Sequence, residues 1–539
     1  MFGKEKTEGE YDLIKRLVQI GVALSAEKNL NRLLEIIVDE ARKFSNADGG
    51  TLYIVSDDES MLHFAIVQND SLHVRMGGSG GSITWPPVKL INSDGSPNYA
   101  NVSAYAALSG TVVNIADVYN AEGFNFGGTR KFDAETGYRS KSMLVIPMRN
   151  HENDIIGVLQ LLNARDDLTG EVITFSAEKQ EITESLASQA AVAISKNRLI
   201  HDLENLLESF IKIIAATIDE KSPYTGGHVR RVADLTMMIA GKINEAKEGP
   251  YKDIHFTEDQ LNELRFAAWL HDVGKITTPE HIIDKATKLE TVYDRINNVK
   301  TRVEIMKRDH LIDLLKREAN QRQIRAMEKL TPENDEFLRE LEEDIEFLVR
   351  ANVGDECMTD EKIERLKGIA SRKLVIDGQP HFLLDEEDLR FLSIRRGTLT
   401  DRERDIINNH VVVTYKILSQ LPFPRKIKSV SVYAAAHHEK IDGTGYPNGL
   451  TGDQLSLQGR ILALADVFEA LTAGDRPYKK GKTLSESIEI MKMMVKDKHI
   501  DTDLFALFME ERIYLDYVER ELSAAQIDRE RIIPFHREA

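Results

Sequence analysis

The chain has 539 residues, a formal net charge of −18, 42% hydrophobic and 29% charged residues, and one cysteine, Cys357. That length predicts about three domains with ordinary apolar cores, and the acidic balance argues against a general nucleic-acid or acidic-membrane surface. The lone cysteine excludes an internal disulfide framework and suits a reducing cytoplasm; no apolar run reaches membrane-spanning length, and the start MFGKEKTEGE is no signal peptide.

Residues 11–24 and 30–44 carry apolar side chains at helical spacing. Strand-like apolar runs follow at 50–55, 62–67, 111–115, 143–148 and 155–162. Between them, 77–101 and 120–140 are rich in Gly, Ser and Asn and read as loops. Helices, a mostly antiparallel sheet and a closing helix predict an α+β sensor module over residues 1–197. Residues 176–219 then form one long helix candidate without Gly or Pro. Leu199, Leu203, Leu206, Phe210 and Ile213 step along it by alternating fours and threes, the seam of a short coiled coil. That seam predicts a signalling helix of a homodimer; a single helix packed on the next domain fits the same residues.

The rest of the chain, 205–539, reads as helical and carries the reactive residues. His271 and Asp272 stand in HDVGK, and His437, His438 and Glu439 run into GTGYP. Such groups are poor core material, because burying them unpaired is costly. Clustered, they suit divalent transition metals. His228 falls in the first turn of a helix that begins near two glycines. His410 lies on DIINNHVVVTYKIL, where a satisfied core histidine explains it equally on its own residues. Asp466 interrupts the apolar face of GRILALADVFEALT, which suggests an ion or a buried partner. Neighbours on a helix point about 100° apart, so His271 and Asp272 can splay around two ions. Glu439 can support the imidazoles beside it. Lys275, a turn beyond His271, can neutralise a phosphate oxygen. The Gly445 turn permits close approach of a ligand, Tyr446 can stack on a purine or hydrogen-bond a phosphate, and Arg476 and Lys479 in DRPYKK suit a further phosphate.

HDVGK followed by HHEKIDGTGYP resembles the HD-GYP branch of the HD phosphohydrolase superfamily, and the segments FDAETGYRSKSMLVIPM and IIGVLQLLNA resemble a GAF domain. The first resemblance implies an all-helical fold, two divalent transition ions such as iron or manganese, and hydrolysis of cyclic di-GMP to linear pGpG, GMP or both. It assigns His228, His271, Asp272 and Asp466 to one metal and Asp272, His410, His437 and His438 to the other, with Asp272 bridging. Tyr224 stands where some relatives carry a Glu for a third ion, which favours two. Lys275, Gly445, Tyr446, Arg476 and Lys479 then contact substrate.

Against that family pattern, residues 291–396 form a charged helical insertion, a solvated face that can also serve as a lid or partner surface. The GYP loop is a second candidate partner surface. In the GAF-like part, Asn163 and Phe175 fit the ends of a cyclic-nucleotide signature, but Ala164, Lys179 and Gln180 depart from it. A small-ligand pocket and a purely structural, dimerising domain both remain open. Cleavage of another cyclic dinucleotide or nucleotide, or a receptor role with little turnover, are the rival readings.

Overall fold

A computed structural model of the chain describes residues 15–221, 227–319, 335–474, 481–529, 532 and 535. It divides into two compact units, Met1–Leu206 and Leu207–Ala539.

The first unit is α+β. Helices α1 (15–26) and α2 (Leu30–Ser45) precede the sheet. Asn29 caps α2 by accepting the Arg32 amide, and Asn46 ends it in the left-handed conformation that Asn tolerates. Strands β1 (Ala47–Val55), β2 (Met61–Asn69), β3 (Val74–Gly77), β4 (Val88–Lys89), β5 (Val113–Ile115), β6 (Met143–Arg149), β7 (Ile155–Arg165) and β8 (Val172–Ile173) form one antiparallel sheet of order β3-β2-β1-β7-β6-β5. Beyond that path, β4 pairs with β2 and β8 with β7.

Strand alternation sorts β6 between two cores. Leu144, Ile146 and Met148 join Leu33, Ile37 and Ile194 on one face. Met143 and Val145 join Leu62, Ala104 and Val158 on the other, below α3 (Val102–Ser109).

One expected loop is partly helical: α4 (Gly127–Thr136) forms inside 120–140. Its sequence has little helical periodicity, but buried Asp133 accepts from Tyr119 Oη, Ser140 N and Ser140 Oγ at 2.8–2.9 Å. Tertiary anchoring thus overrides the Gly-rich local signal. Asn163 is buried with φ 56° and bonds Tyr138, Arg139 and Lys141, which gives it a structural task in this sheet.

Helix α5 (Ala177–Asp219) supplies Leu186, Ala190 and Ile194 to the core of the first unit. Its far end supplies Ile211 and Ile218 to a core of the second. Leu199, Leu203, Leu206 and Phe210 between those stretches, and Ile213 beside the second, are 51–66% exposed.

In the second unit, α6 (His228–Glu245), α7 (Glu258–Leu270), a 3₁₀ turn (Val273–Thr277) and α8 (Glu280–Ile283) precede the insertion. The insertion holds α9 (Ile296–Ala319), α10 (Glu336–Val353), α11 (Asp360–Ala370), a hairpin of β9 (Lys373–Ile376) and β10 (Gln379–Phe382), and α12 (Glu386–Leu392). Its apolar residues gather into a core of their own around Val299, Leu341, Leu348, Leu366 and Leu384. Most of its charge therefore lies outside that core, with Asp344 and Asp388 buried against arginines, and the hairpin was not evident from composition.

The chain then continues through α13 (Asp401–Leu418), α14 (Val430–Ala434), α15 (Leu457–Thr472), α16 (Leu484–Lys496), α17 (Thr502–Glu510) and α18 (Ile513–Glu521). Helices α6, α7 and α15 to α18 share one core with Phe468, Phe505 and Phe508 at its centre. Among the described residues no helix is long and apolar enough to cross a membrane.

Candidate metal centre

Five helices and one 3₁₀ turn deliver the predicted ligands to one buried spot. His228 opens α6 after Gly227, whose φ of 82° suits glycine. His271 ends α7 and Asp272 starts the 3₁₀ turn. His410 faces inward from α13, His437 and His438 follow α14, and Asp466 comes from α15. Gly274 brings two of these elements together, because a Cβ there would collide with the carbonyl of His410. Its amide donates to Thr414 Oγ1 (2.9 Å), which donates in turn to the His271 carbonyl (3.0 Å).

The two oxygens of Asp272 face different groups. Oδ2 lies 3.4 Å from His228 Nε2 and 3.3 Å from His271 Nε2. Oδ1 lies 3.3 Å from His410 Nε2 and 3.9 Å from His437 Nε2. Asp466 Oδ1 approaches His228 Nε2 at 3.4 Å and His271 Nε2 at 3.8 Å. Two clusters result, His228–His271–Asp466 and His410–His437–His438, and a third group, His271–Asp272–His437, joins them; ligand atoms in each lie within 4.8 Å of one another.

The orientation of the rings is set from behind. Nδ1 of His271, His410 and His437 each meets the carbonyl three residues earlier, at Ala268, Ile407 and Ala434, over 2.5–2.7 Å. Nδ1 of His228 meets Glu469 Oε2 at 2.5 Å. With Nδ1 carrying the proton toward an acceptor, each Nε2 presents a lone pair to the centre. There, His271 Nε2, His410 Nε2, His437 Nε2 and Asp272 Oδ1 are buried without a hydrogen-bond partner. Orphaned buried polar atoms are costly, and four aimed at one point fit cations that all of them can ligate.

The electrostatics divide the rings between the carboxylate-rich and the imidazole-rich side of the centre. Burial, with neighbouring His438 and His271, holds His437 well below the usual imidazole range. Burial takes His438 down to about 4. Burial also opposes charge on His228, but Glu469, Asp272 and Asp466 outweigh it and push its pKa up to about 10. Burial likewise disfavours the Asp272 carboxylate, yet Lys275 and His271 hold it well below the ordinary value. Lys275 Nζ sits 2.6 Å from Asp272 Oδ2, on the very carboxylate the clusters share.

The glycine loop differs from expectation at Glu439. Its carboxylate accepts from the amides of Asn448 (2.7 Å) and Leu450 (2.9 Å) and so pins the loop instead of an imidazole. A Cβ on Gly445 would collide with Lys440 N, so the chain closes there only around glycine. Tyr446 lies over His438 with ring centroids 4.8 Å apart, tilted by 32°.

Arg476 and Lys479, expected at a phosphate, lie outside the described residues, as does Tyr224. Two groups escaped the sequence reading. Glu469, one turn after Asp466 on α15, also takes the Arg231 Nε–H at 2.7 Å, and its spacing from Asp466 was the available signal. Lys221, just past α5, donates to the carbonyls of Lys275 (3.2 Å) and Ile276.

Comparison with known proteins matches a GAF domain family model over residues 29–194 and HD domain family models over 225–351 and 388–504. A 3′3′-cGAMP-specific phosphodiesterase of Vibrio cholerae is 40% identical over 111 residues, 20% of this chain and 23% of the relative. A cyclic di-GMP phosphodiesterase response regulator of Xanthomonas campestris is 39% identical over 95 residues, 18% of this chain and 25% of the relative. The chain thus spans about a quarter of the length of these curated relatives. A solved GAF domain of a Coxiella burnetii phosphoenolpyruvate-protein phosphotransferase aligns with a TM-score of 0.26 and 18% identity, over 35% of this chain and 96% of that one.

Proposed function

For a chain that joins a GAF domain to an HD domain, we propose a metal-dependent phosphodiesterase that cleaves cyclic di-GMP to linear pGpG, GMP or both. The observation that carries this reading is the convergence of the orphaned Nε2 atoms of His271, His410 and His437 on the two oxygens of Asp272. His228, His271, Asp272 and Asp466 would hold one divalent ion; Asp272, His410, His437 and His438 would hold the other. Imidazoles and carboxylates without thiolate suit iron or manganese. Bound there, such ions supply Lewis acidity toward a phosphodiester and lower the pKa of a coordinated water.

The protein's own groups do the rest. The carbonyls behind the rings keep Nε2 deprotonated and fixed, so the donor set need not reorganise. Lys275 holds its ammonium at the shared carboxylate, close enough to offset charge on a nonbridging phosphate oxygen. Tyr446 offers a ring face beside His438 for a purine.

The substrate follows the names of the relatives. Cyclic di-GMP is the first choice, and 3′3′-cGAMP the second, which rests on the Vibrio cholerae protein. The exposed apolar seam on α5 supports a homodimer. A cytoplasmic location fits the free, exposed Cys357. The GAF domain then acts as the regulatory input.

The test is anaerobic purification, metal analysis, and chromatography of cyclic di-GMP digests. Two ions per chain with turnover to pGpG or GMP supports the reading. Full metal loading with tight binding and no cleavage would turn the assignment to a receptor.

A further inference from the structure

Where the insertion meets the HD domain lies a cavity of about 920 Å³, large enough for a nucleotide-sized ligand. Five arginines line it: Arg390, Arg395 and Arg396 from the end of the insertion, and Arg402 and Arg404 from the first turn of α13. This concentration of positive charge stands out in a chain of net charge −18.

The local carboxylates leave most of it unanswered. Glu403 also lines the cavity but is committed to Lys285 (2.7 Å) and to its own helix cap at Thr400. Asp360 takes Arg395 at 2.5 Å, and Glu387 stands 3.9 Å from Arg390. The side chains of Arg396, Arg402 and Arg404 have no ion pair among the described residues, and Asp401 is the other acid in the wall. Leu399 and Ile406 add apolar surface beside them, with Ile406 37% exposed.

We propose that this cavity binds a nucleoside polyphosphate, with the arginines on its phosphates and the Leu399–Ile406 wall against its base. Guanidinium forks match phosphate oxygens in pairs, and several unpaired forks around one cavity suit several phosphates. A nucleoside monophosphate or a single inorganic phosphate would leave most of them idle.

The site also has a route to the metal centre. Arg404 precedes His410 on α13 by six residues, about 9 Å along the axis. A ligand that draws the first turn of α13 toward the insertion acts on the helix that carries His410 and Thr414. Occupancy is therefore expected to alter turnover without touching the reacting groups.

The experiment titrates GTP into the metal-loaded, full-length protein by calorimetry, in the presence of saturating slowly cleaved cyclic di-GMP analogue. Parallel titrations use inorganic tripolyphosphate and the variant Arg396→Glu/Arg402→Glu/Arg404→Glu. The expected result is one GTP per chain, weakened at least about tenfold in the variant, while metal content and basal turnover stay at wild-type levels. Tripolyphosphate should bind more weakly than GTP. Absence of saturable binding at millimolar GTP would overturn the proposal, as would binding that survives the triple substitution. Tripolyphosphate that binds as tightly as GTP would overturn the nucleoside assignment. The binding readout does not depend on which dinucleotide the metal centre cleaves.

Discussion

Glu469 Oε2 lies 2.5 Å from Nδ1 of His228, while its second oxygen takes Nε–H of Arg231 at 2.7 Å. A carboxylate behind an imidazole fixes its tautomer and raises its basicity toward a cation. The other three oriented rings rely on neutral backbone carbonyls, so His228 is the only one of the four held by a formal charge.

Replacing Glu469 with Gln should therefore weaken one cluster selectively. Metal content is expected to fall from two ions toward one per chain, with turnover down roughly 10–100-fold. Elemental analysis alongside cyclic di-GMP turnover checks this; two retained ions with unchanged turnover would refute the orienting role.

Asp272→Asn should act on both clusters, because each oxygen of Asp272 serves a different one. Both ions and all turnover are expected to go together. A variant that keeps both metals would show that the shared carboxylate is dispensable.

Gly274→Ala tests how the clusters are held together. The new methyl would meet the His410 carbonyl, and Thr414 N at 2.7 Å. Backbone atoms cannot step aside as a flexible side chain can, and overpacking of this kind costs about 1–3 kcal/mol or more. A lower melting temperature and reduced metal affinity are expected together; a wild-type melt and full metal content would contradict the contact.

Much of this centre was legible because its residue types are improbable elsewhere. His271–Asp272 and His437–His438 announce ligands by their company, and the strands at 143–148 and 155–162 were readable as apolar runs, although their order in the sheet was not. Glu469 was hidden, since a carboxylate on a helix normally reads as a solvated face and only folding shows it buried. Glu439 was placed correctly near the site but given the wrong partner, because one-dimensional proximity to His438 says nothing about a loop that returns nine residues later. The core of the insertion was masked by the density of charge around Leu341, Leu348 and Leu366.

The lysine on which the insertion closes offers a pH test of its own. Lys288 is fully buried, donates to the Ile394 carbonyl at 2.8 Å, and burial lowers its pKa to about 8. Since the unfolded chain keeps a lysine near its ordinary value of about 10.4, unfolding takes up protons between those limits. The cost of the buried charge is complete below pH 8 and is lifted as pH rises toward 10.4, so stability contributed by this group grows across that window. Thermal unfolding between pH 8 and 10 should show this rise in the wild type and lose it in Lys288→Met. The same slope in both proteins would assign it elsewhere.

The ammonium of Lys221 on the carbonyls of Lys275 and Ile276 ties the length of α5 to the position of the HDVGK turn. Three donors on a flexible stem absorb small displacements, but adding or deleting one residue in α5 turns Lys221 by about 100° around the helix axis. Seven residues make nearly two whole turns and bring it back to the same side. Ile211 and Ile218 seat this end of α5 in the same unit as that turn, so the phase matters between Ile218 and Lys221: a single residue inserted there uncouples the ammonium from the turn that carries Asp272.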